Sequence, residues 1–189
     1  SDVCSSDLVT YDNGEYERVM DMAVDLADWR GFAKRKAEAK ARGQLRGIGI
    51  ANYIELTMGF PREWSEVVVK PEGVVEVAVG TLSSGQGHET SFTQCVSEWL
   101  GVPFDKVKLV QGDTDRVPVG GGSHSGRSMR MAGVVMGKAS QGVIARGRAI
   151  AALVLDAPES SVEFADGRFF VANTNKFIGL FDVAQAANE

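Results

Sequence analysis

Apolar residues recur along this chain with two spacings, one helical and one extended. Val19, Met22 and Leu26 are three and four residues apart, which is typical of one face of a helix. Valine-rich runs at 65–70 and 74–79 flank Pro-Glu-Gly and predict a β-hairpin. The predicted elements are helices over 15–42, 88–100, 128–155 and 178–187 and strands over 46–56, 65–70, 74–79 and 106–110. A hairpin is predicted over 161–171, with its turn at Asp166 and Gly167. Helices and mixed strands in one chain predict an α+β fold.

The helix over 128–155 carries an unusual number of glycines. Gly133, Gly137 and Gly142 each lower its intrinsic helix propensity. That loss is best explained by another backbone that packs closely against the helix. We therefore expect this helix to be central and buried.

Composition excludes several classes of protein. The chain has 189 residues, 44% hydrophobic and 24% charged, with a net charge of −5, and its pI is near 5.2. An acidic balance argues against nucleic acid or an anionic membrane as the main partner. No apolar run is long enough for a membrane span. We expect a globular protein of the cytoplasm.

The two cysteines, Cys4 and Cys95, are too few for a disulfide scaffold or a metal cluster. Cys95 falls on the apolar stripe of the helix over 88–100, with no acid or base spaced to activate it. A buried structural thiol is therefore the favoured interpretation. Asp113 and Asp115 have the spacing of metal ligands, but side-chain capping of a turn explains them better.

Residues 80–87, the first loop, connect a predicted strand to a predicted helix. Gly85 and Gly87 permit positive φ and close approach of a ligand to the backbone. The helix that follows would present its free N–H groups, around Gln86, Gly87 and His88, to a phosphate. A tight connection without a ligand is an equally good explanation of this pattern alone.

Residues 120–128, the second loop, also precede a helix and are rich in glycine and serine. Ser123, Ser125 and Ser128 offer hydroxyl donors, and the guanidinium of Arg127 matches phosphate geometry. Neither loop has the P-loop or the Gly-x-Gly-x-x-Gly pattern. His88 and His124 lack a third metal ligand, so hydrogen bonds at helix ends are expected of both. Together the loops suggest two sides of one anionic cofactor site.

Four motifs resemble a known family. They are Gly-Thr-Leu-Ser-Ser-Gly-Gln-Gly-His-Glu-Thr-Ser at 80–91, Glu-Trp-Leu-Gly-Val-Pro at 98–103, Gly-Asp-Thr-Asp at 112–115 and Gly-Gly-Gly-Ser-His-Ser-Gly-Arg-Ser-Met-Arg-Met-Ala-Gly at 120–133. This pattern resembles the molybdopterin-binding large subunit of the xanthine dehydrogenase family, nearest to the aldehyde and carbon monoxide dehydrogenase-like branch. The resemblance runs from about residue 11 to the end of the chain.

The resemblance implies molybdopterin cytosine dinucleotide as the cofactor, with molybdenum. It places these residues around it: Gly85, Gln86, Gly87, His88, Glu89, Thr90, Ser123, His124, Ser125, Gly126, Arg127 and Ser128. It also implies iron–sulfur clusters and FAD on partner subunits, in a dimer of heterotrimers. The implied chemistry is hydroxylation of a small-molecule substrate (an aldehyde, CO or a heterocycle) with water as oxygen donor.

The sequence departs from this family in two respects. The family's catalytic glutamate lies in a Gly-Glu motif that does not occur before Glu189, and the loop that faces molybdenum is also missing. The family subunit is several times longer. We therefore expect an internal piece without a catalytic or metal-ligating residue, inactive alone. The alternative is a non-catalytic module that binds a nucleotide or phosphate, or only packs against another subunit.

Residues 1–8 are expected to have a separate origin. Ser-Asp-Val-Cys-Ser-Ser-Asp-Leu can be encoded as TCA GAC GTG TGC TCT TCC GAT CTN, which resembles a sequencing adapter. A disordered polar N-terminus is the alternative. The expected organisation is then an artefact at 1–8, an N-terminal helix and linker at 9–43, and part of a cofactor-binding domain at 44–189, truncated within its last helix.

Overall fold

The computed structural model describes residues 14–53 and 61–188. The chain divides into two compact units between residues 54 and 55. Residues 1–8, most of the loop predicted near residues 58–62 and the end of the strand predicted at 46–56 lie outside the described residues. The boundary at residues 43 and 44 stays a prediction.

The long helix predicted over 15–42 is wrong, because it is broken near its middle. The elements are α1 (Tyr16–Leu26), a 3-10 turn (Trp29–Gly31) and α2 (Phe32–Ala41). Asp28 has a φ of 44°, and its carboxylate accepts a hydrogen bond from the N–H of Gly31 at 3.1 Å. Arg35 forms an ion pair with Asp28 and donates to the carbonyls of Ala27 and Asp28, each at 2.8 Å. These local bonds terminate α1 although its apolar periodicity continues.

Residues 46–53 form no strand, contrary to prediction. They are exposed and have no strand partner among the residues that the structure describes. The glycines at 47 and 49 have open space beside them. Close packing of these glycines is therefore not observed.

The larger unit begins with the predicted hairpin, which is confirmed. β1 (Ser65–Lys70) and β2 (Val74–Val79) pair antiparallel, with Ser65 opposite Val79. β2 also pairs in parallel with β3 (Val107–Val110), and α3 (His88–Leu100) connects the two strands. A parallel pair requires such a crossover. The first loop therefore lies between the carboxyl end of β2 and the N-terminus of α3.

A second, antiparallel sheet completes the unit. β4 (Val162–Ala165) and β5 (Arg168–Val171) form the predicted hairpin, turning at Asp166 and Gly167. β6 (Phe177–Gly179) pairs with β5 and was not predicted. It occupies the start of the segment predicted as helix, so α5 is only Leu180–Ala186.

The predicted helix over 128–155 is confirmed. It begins with one π-helical turn, Ser128–Ala132, and continues as α4 (Gly133–Val154). Alternate residues of β2, a stripe on α3 and one face of α4 form the core: Val75, Val77, Val79, Phe92, Val96, Leu100, Ala132, Met136 and Ala151. Helices and small sheets in one unit confirm the α+β class. No helix in the described ranges is long and apolar enough to cross a membrane.

Glycines of α4 differ from expectation. A Cβ on Gly142 would meet nothing within 4 Å, and one on Gly137 would only make ordinary contact with Trp99 at 3.6 Å. The tightly packed glycine is Gly147, where a Cβ would lie 2.9 Å from Cε2 of the buried Phe169. The close approach therefore comes from an aromatic ring and not from a backbone.

Candidate functional site

The first loop leaves open space beside its glycines. Gly85 and Gly87 have φ of 101° and 77°, which favour glycine, and a Cβ added to either would meet no atom within 4 Å. Gly87 is also the residue before the first turn of α3. A ligand can therefore approach the backbone at both positions.

Backbone donors at this loop are free. Within residues 14–53 and 61–188, the N–H groups of Gln86, Gly87 and His88 have no hydrogen-bond acceptor. Further into the helix, the N–H groups of Thr90 and Ser91 are no longer free, because each donates to the carbonyl of Gly87 at 3.1 Å. Free donors at the positive end of a 13-residue helix attract an anion.

Side chains brace the first loop from within. The amide oxygen of Gln86 accepts from the N–H of Ser84 at 2.5 Å. Gln111, which follows β3, accepts from the N–H of Ser83 at 2.9 Å and donates to Glu89 at 3.2 Å. The pKa of Glu89 lies below its usual value, mainly because its carboxylate accepts a hydrogen bond from its own backbone N–H. Gln111 was not predicted from the sequence, since only the parallel pairing of β3 brings it here.

The ring of His88 points into the core. The residue is 4% exposed, and its ring stacks on Phe92 with centroids 4.3 Å apart. Nδ1 has no hydrogen-bond partner among the described residues. Burial lowers the pKa of His88, so the ring is neutral near pH 7. His88 therefore offers its backbone N–H to the first loop, while its ring packs inside.

The second loop lies directly against the first. A Cβ on Gly80 would be 2.5 Å from Cα of Gly120, so the two backbones are in contact. Ser123 also donates from its hydroxyl to the carbonyl of Leu82. The pairing of the loops inferred from the sequence is thus a physical contact.

His124 orders the exposed part of the second loop. Its Nε2 lies 3.1 Å from the carbonyl of Gly121, to which this nitrogen donates. Nδ1 lies within hydrogen-bond distance of the hydroxyl of Ser125, at 2.8 Å. Ser125 has a φ of 50°, and the neighbouring Gly126 is exposed. Ser128 begins the π-helical turn, a feature frequent at functional sites.

Arg127 occupies a different position from the one expected. Its side chain is completely buried, and Nη1 lies 2.8 Å from Oε2 of Glu63, which is equally buried. Nη1 and Nη2 also donate to the carbonyls of Gly122 at 2.6 Å and Arg62 at 2.7 Å. A guanidinium held in this way contacts protein on the inner side of the loop. Glu63 carried no signal in the sequence, because its partner is 64 residues away.

The aspartates of the turn after β3 agree with the simpler interpretation, whereas Cys95 is less buried than expected. Asp113 accepts from the N–H of Asp115 at 3.0 Å, as expected for a capped turn. No group of three side chains able to hold a metal occurs in the part of the chain that the structure describes. Cys95 is a free, half-buried thiol on α3.

The geometry fits a phosphate-containing cofactor. The fit rests on the free N–H groups of Gln86, Gly87 and His88, on the open space at Gly85 and on the adjacent second loop. A β-strand, a glycine loop and a helix beside a second glycine-rich loop are the arrangement expected of a domain that binds a phosphorylated cofactor.

Comparison with known families identifies this class. The family model described as "Molybdopterin cofactor-binding domain" matches residues 22–189, and the chain belongs to that family. It is 33% identical to the carbon monoxide dehydrogenase large chain of Afipia carboxidovorans, over 94% of this chain and 24% of the relative. It is 30% identical to subunit gamma of the 6-hydroxypseudooxynicotine dehydrogenase complex of Paenarthrobacter nicotinovorans, over 93% and 22%.

Solved structures agree with this assignment. Reconstituted CO dehydrogenase from Oligotropha carboxidovorans matches with a TM-score of 0.66 and 31% identity, over 94% of this chain and 24% of that one. Quinoline 2-oxidoreductase from Pseudomonas putida 86 matches with 0.63 and 27%, over 98% and 25%. The chain thus spans about a quarter of the length of these relatives. The predicted family and its carbon monoxide dehydrogenase-like branch are confirmed.

Proposed function

We propose that the first and second loops together bind molybdopterin cytosine dinucleotide. The observation that carries the proposal is the set of free N–H groups at Gln86, Gly87 and His88, which lie at the positive end of α3 beside the open space at Gly85 and Gly87. The second loop is bonded to the first through Ser123 and is in backbone contact with it at Gly80 and Gly120, so both loops can contact one ligand.

Each residue has a defined role in this proposal. The N–H groups of residues 86–88 bind phosphate oxygens. The glycines at 85 and 87 carry no side chain that would block the approach of the phosphate to the backbone. The hydroxyls of the exposed Thr90 and of Ser128 offer further donors, and the hydroxyl of Ser125 orders the second loop beside Nδ1 of His124. Glu89 braces the first loop through Gln111, and His124 braces the second through Gly121. Gly126 lies on the exposed side of the second loop, where it can approach the ligand, and Arg127 acts through the protein.

The chain is proposed to be part of a longer large subunit, as its 24% coverage of the relatives supports. The bound molybdenum centre would supply the redox chemistry for hydroxylating an aldehyde, CO or a heterocycle with water. The residues of this chain hold and orient the cofactor, and no proton-transferring group is assigned to them. Iron–sulfur and FAD subunits, assembly as a dimer of heterotrimers and a cytoplasmic location complete the proposal.

Metal and nucleotide analysis of the purified full-length protein tests the proposal. Gly87→Asp places a carboxylate in the open space before α3, while Gly73→Asp adds the same charge at a comparable φ of 80° in the β1–β2 turn. We expect the molybdenum and releasable CMP of Gly87→Asp to fall by about tenfold or more, because the new carboxylate repels the phosphate. A repulsion of only about 1.4 kcal/mol already lowers affinity tenfold. Gly73→Asp should retain both.

Two results would count against the assignment. Equal cofactor content in the two variants would remove the first loop from the site. Absence of molybdenum and CMP from the unmodified protein would favour a non-catalytic module that packs against another subunit.

A further inference from the structure

We propose that the buried ion pair between Glu63 and Arg127 positions the second loop against the first and so sets the width of the cofactor site. Both residues are positioning residues in this inference, and neither contacts the cofactor. The inference rests on the proposed function. It also explains why an arginine in a phosphate-binding motif is turned away from the exposed side of its loop.

Arg127 fastens the second loop to the segment before β1. Its Nη1 donates to the carbonyl of Gly122 at 2.6 Å and to Glu63 at 2.8 Å. Its Nη2 donates to the carbonyl of Arg62 at 2.7 Å. A planar guanidinium makes such directed bonds together, whereas an ammonium is a point charge. The guanidinium therefore fixes both the distance and the orientation of the second loop.

Glu63 carries the connection on to the first loop. Its Oε2 accepts from the hydroxyl of Thr81 at 2.6 Å, and Thr81 is a fully buried residue two positions after β2. Its Oε1 accepts from the N–H of Trp64 at 3.0 Å, which fixes the carboxylate itself. One carboxylate thus contacts the start of the first loop and, through Arg127, the second loop.

Glycine packing leaves little freedom in this arrangement. A Cβ on Gly121 would lie 2.6 Å from Nη1 of Arg127 and nearer still to Cζ. A Cβ on Gly120 would lie 3.0 Å from Cα of Gly80, at the start of the first loop. Because the backbones touch on one side and the guanidinium fills the other, displacing the ion pair must displace the second loop.

The first variant for testing this is a double substitution, Glu63→Met with Arg127→Met, in the full-length protein. Removing both charges leaves no unpaired ion in the interior, so we expect the fold to be retained. We expect the rate of CMP and molybdenum loss on dialysis to rise by about tenfold, because misplaced binding groups weaken a preorganised site. Hydrogen exchange at 120–128 should accelerate in the cofactor-free protein as well.

The second variant keeps both charges. Gly121→Ala pushes the guanidinium away, and Gly49→Ala is the matched control with nothing within 4 Å. Gly121→Ala should release cofactor faster than the control, and Arg127→Lys should be intermediate because the charge remains without the paired carbonyl bonds. If the double variant does not fold, the comparison of Gly121→Ala with Gly49→Ala still tests whether the ion pair positions the second loop.

Cofactor release and exchange at 120–128 that match the unmodified protein, in either test, would overturn the inference and leave the proposed function intact. A cofactor-free unmodified protein would overturn the proposed function. The exchange rates of 120–128 would still report whether the ion pair holds the second loop.

Discussion

Two glycines of α4 offer a matched test of the packing described here. Alanine in place of a mid-helix glycine stabilises a helix by about 1 kcal/mol. At Gly142 an added Cβ meets nothing within 4 Å, so we expect the full gain. At Gly147 the Cβ would lie 2.9 Å from Cε2 of Phe169, well inside the usual carbon–carbon contact of about 3.5–4.0 Å.

Phe169 has no room to move aside. It is fully buried, and its ring packs on Phe164 with centroids 4.7 Å apart. Overpacking of this kind costs about 1–3 kcal/mol. After the propensity gain, Gly147→Ala should destabilise the protein by up to about 2 kcal/mol.

Hydrogen–deuterium exchange of peptides from α4 measures both effects. Exchange through local opening changes about tenfold per 1.4 kcal/mol. It should slow about fivefold in Gly142→Ala and accelerate by up to about thirtyfold in Gly147→Ala. The reasoning would be refuted if Gly147→Ala protected α4 as well as Gly142→Ala does.

Further predictions concern the site. Arg127→Met alone leaves Glu63 buried without its cation and should cost about 3–5 kcal/mol; an unfolding midpoint close to that of the double variant would contradict this. The pKa of His88 lies below 6.5, so its contribution to stability is full above pH 6.5 and declines as the pH falls through that value. In His88→Phe the unfolding midpoint should therefore depend less on pH between about pH 7 and 5.5 than it does in the unmodified protein. An unchanged pH dependence would show that other groups cause the loss of stability. Gln111→Ala removes the bonds to Ser83 and Glu89 and should speed exchange at 81–90, with no change at 162–171 as the internal control.

Local signals in the sequence were sufficient for much of the fold. Pro-Glu-Gly between valine runs predicted the β1–β2 hairpin, and Asp166 with Gly167 predicted the β4–β5 turn. The two loops were predicted because a glycine-rich turn followed by an apolar helical pattern is a signal contained within a few consecutive residues. Each of these features depends on neighbours in the chain.

What was missed depends on partners seven or more residues away in the chain. The break after α1 comes from Arg35, which bonds carbonyls seven and eight residues earlier and outweighs a continuing periodicity. β6 forms because β5 offers it an edge, whereas its own sequence favoured helix. The close contact of Gly147 was missed for the same reason, since Phe169 is distant in sequence.

Arg127 shows the limit most clearly. Among glycines and serines, an arginine indicates a phosphate ligand. A carboxylate 64 residues away instead binds it inside the protein. Charge and motif in the sequence indicate what a residue can bind, but burial decides what it does bind.

A structure of the full-length protein with its cofactor would show whether the first loop binds the dinucleotide. We expect phosphate oxygens within about 2.7–3.2 Å of the backbone nitrogens of Gln86, Gly87 and His88, the normal range for N–H···O bonds. The guanidinium of Arg127 should remain on Glu63. A dinucleotide bound away from the first loop, or a phosphate paired directly with Arg127, would contradict it.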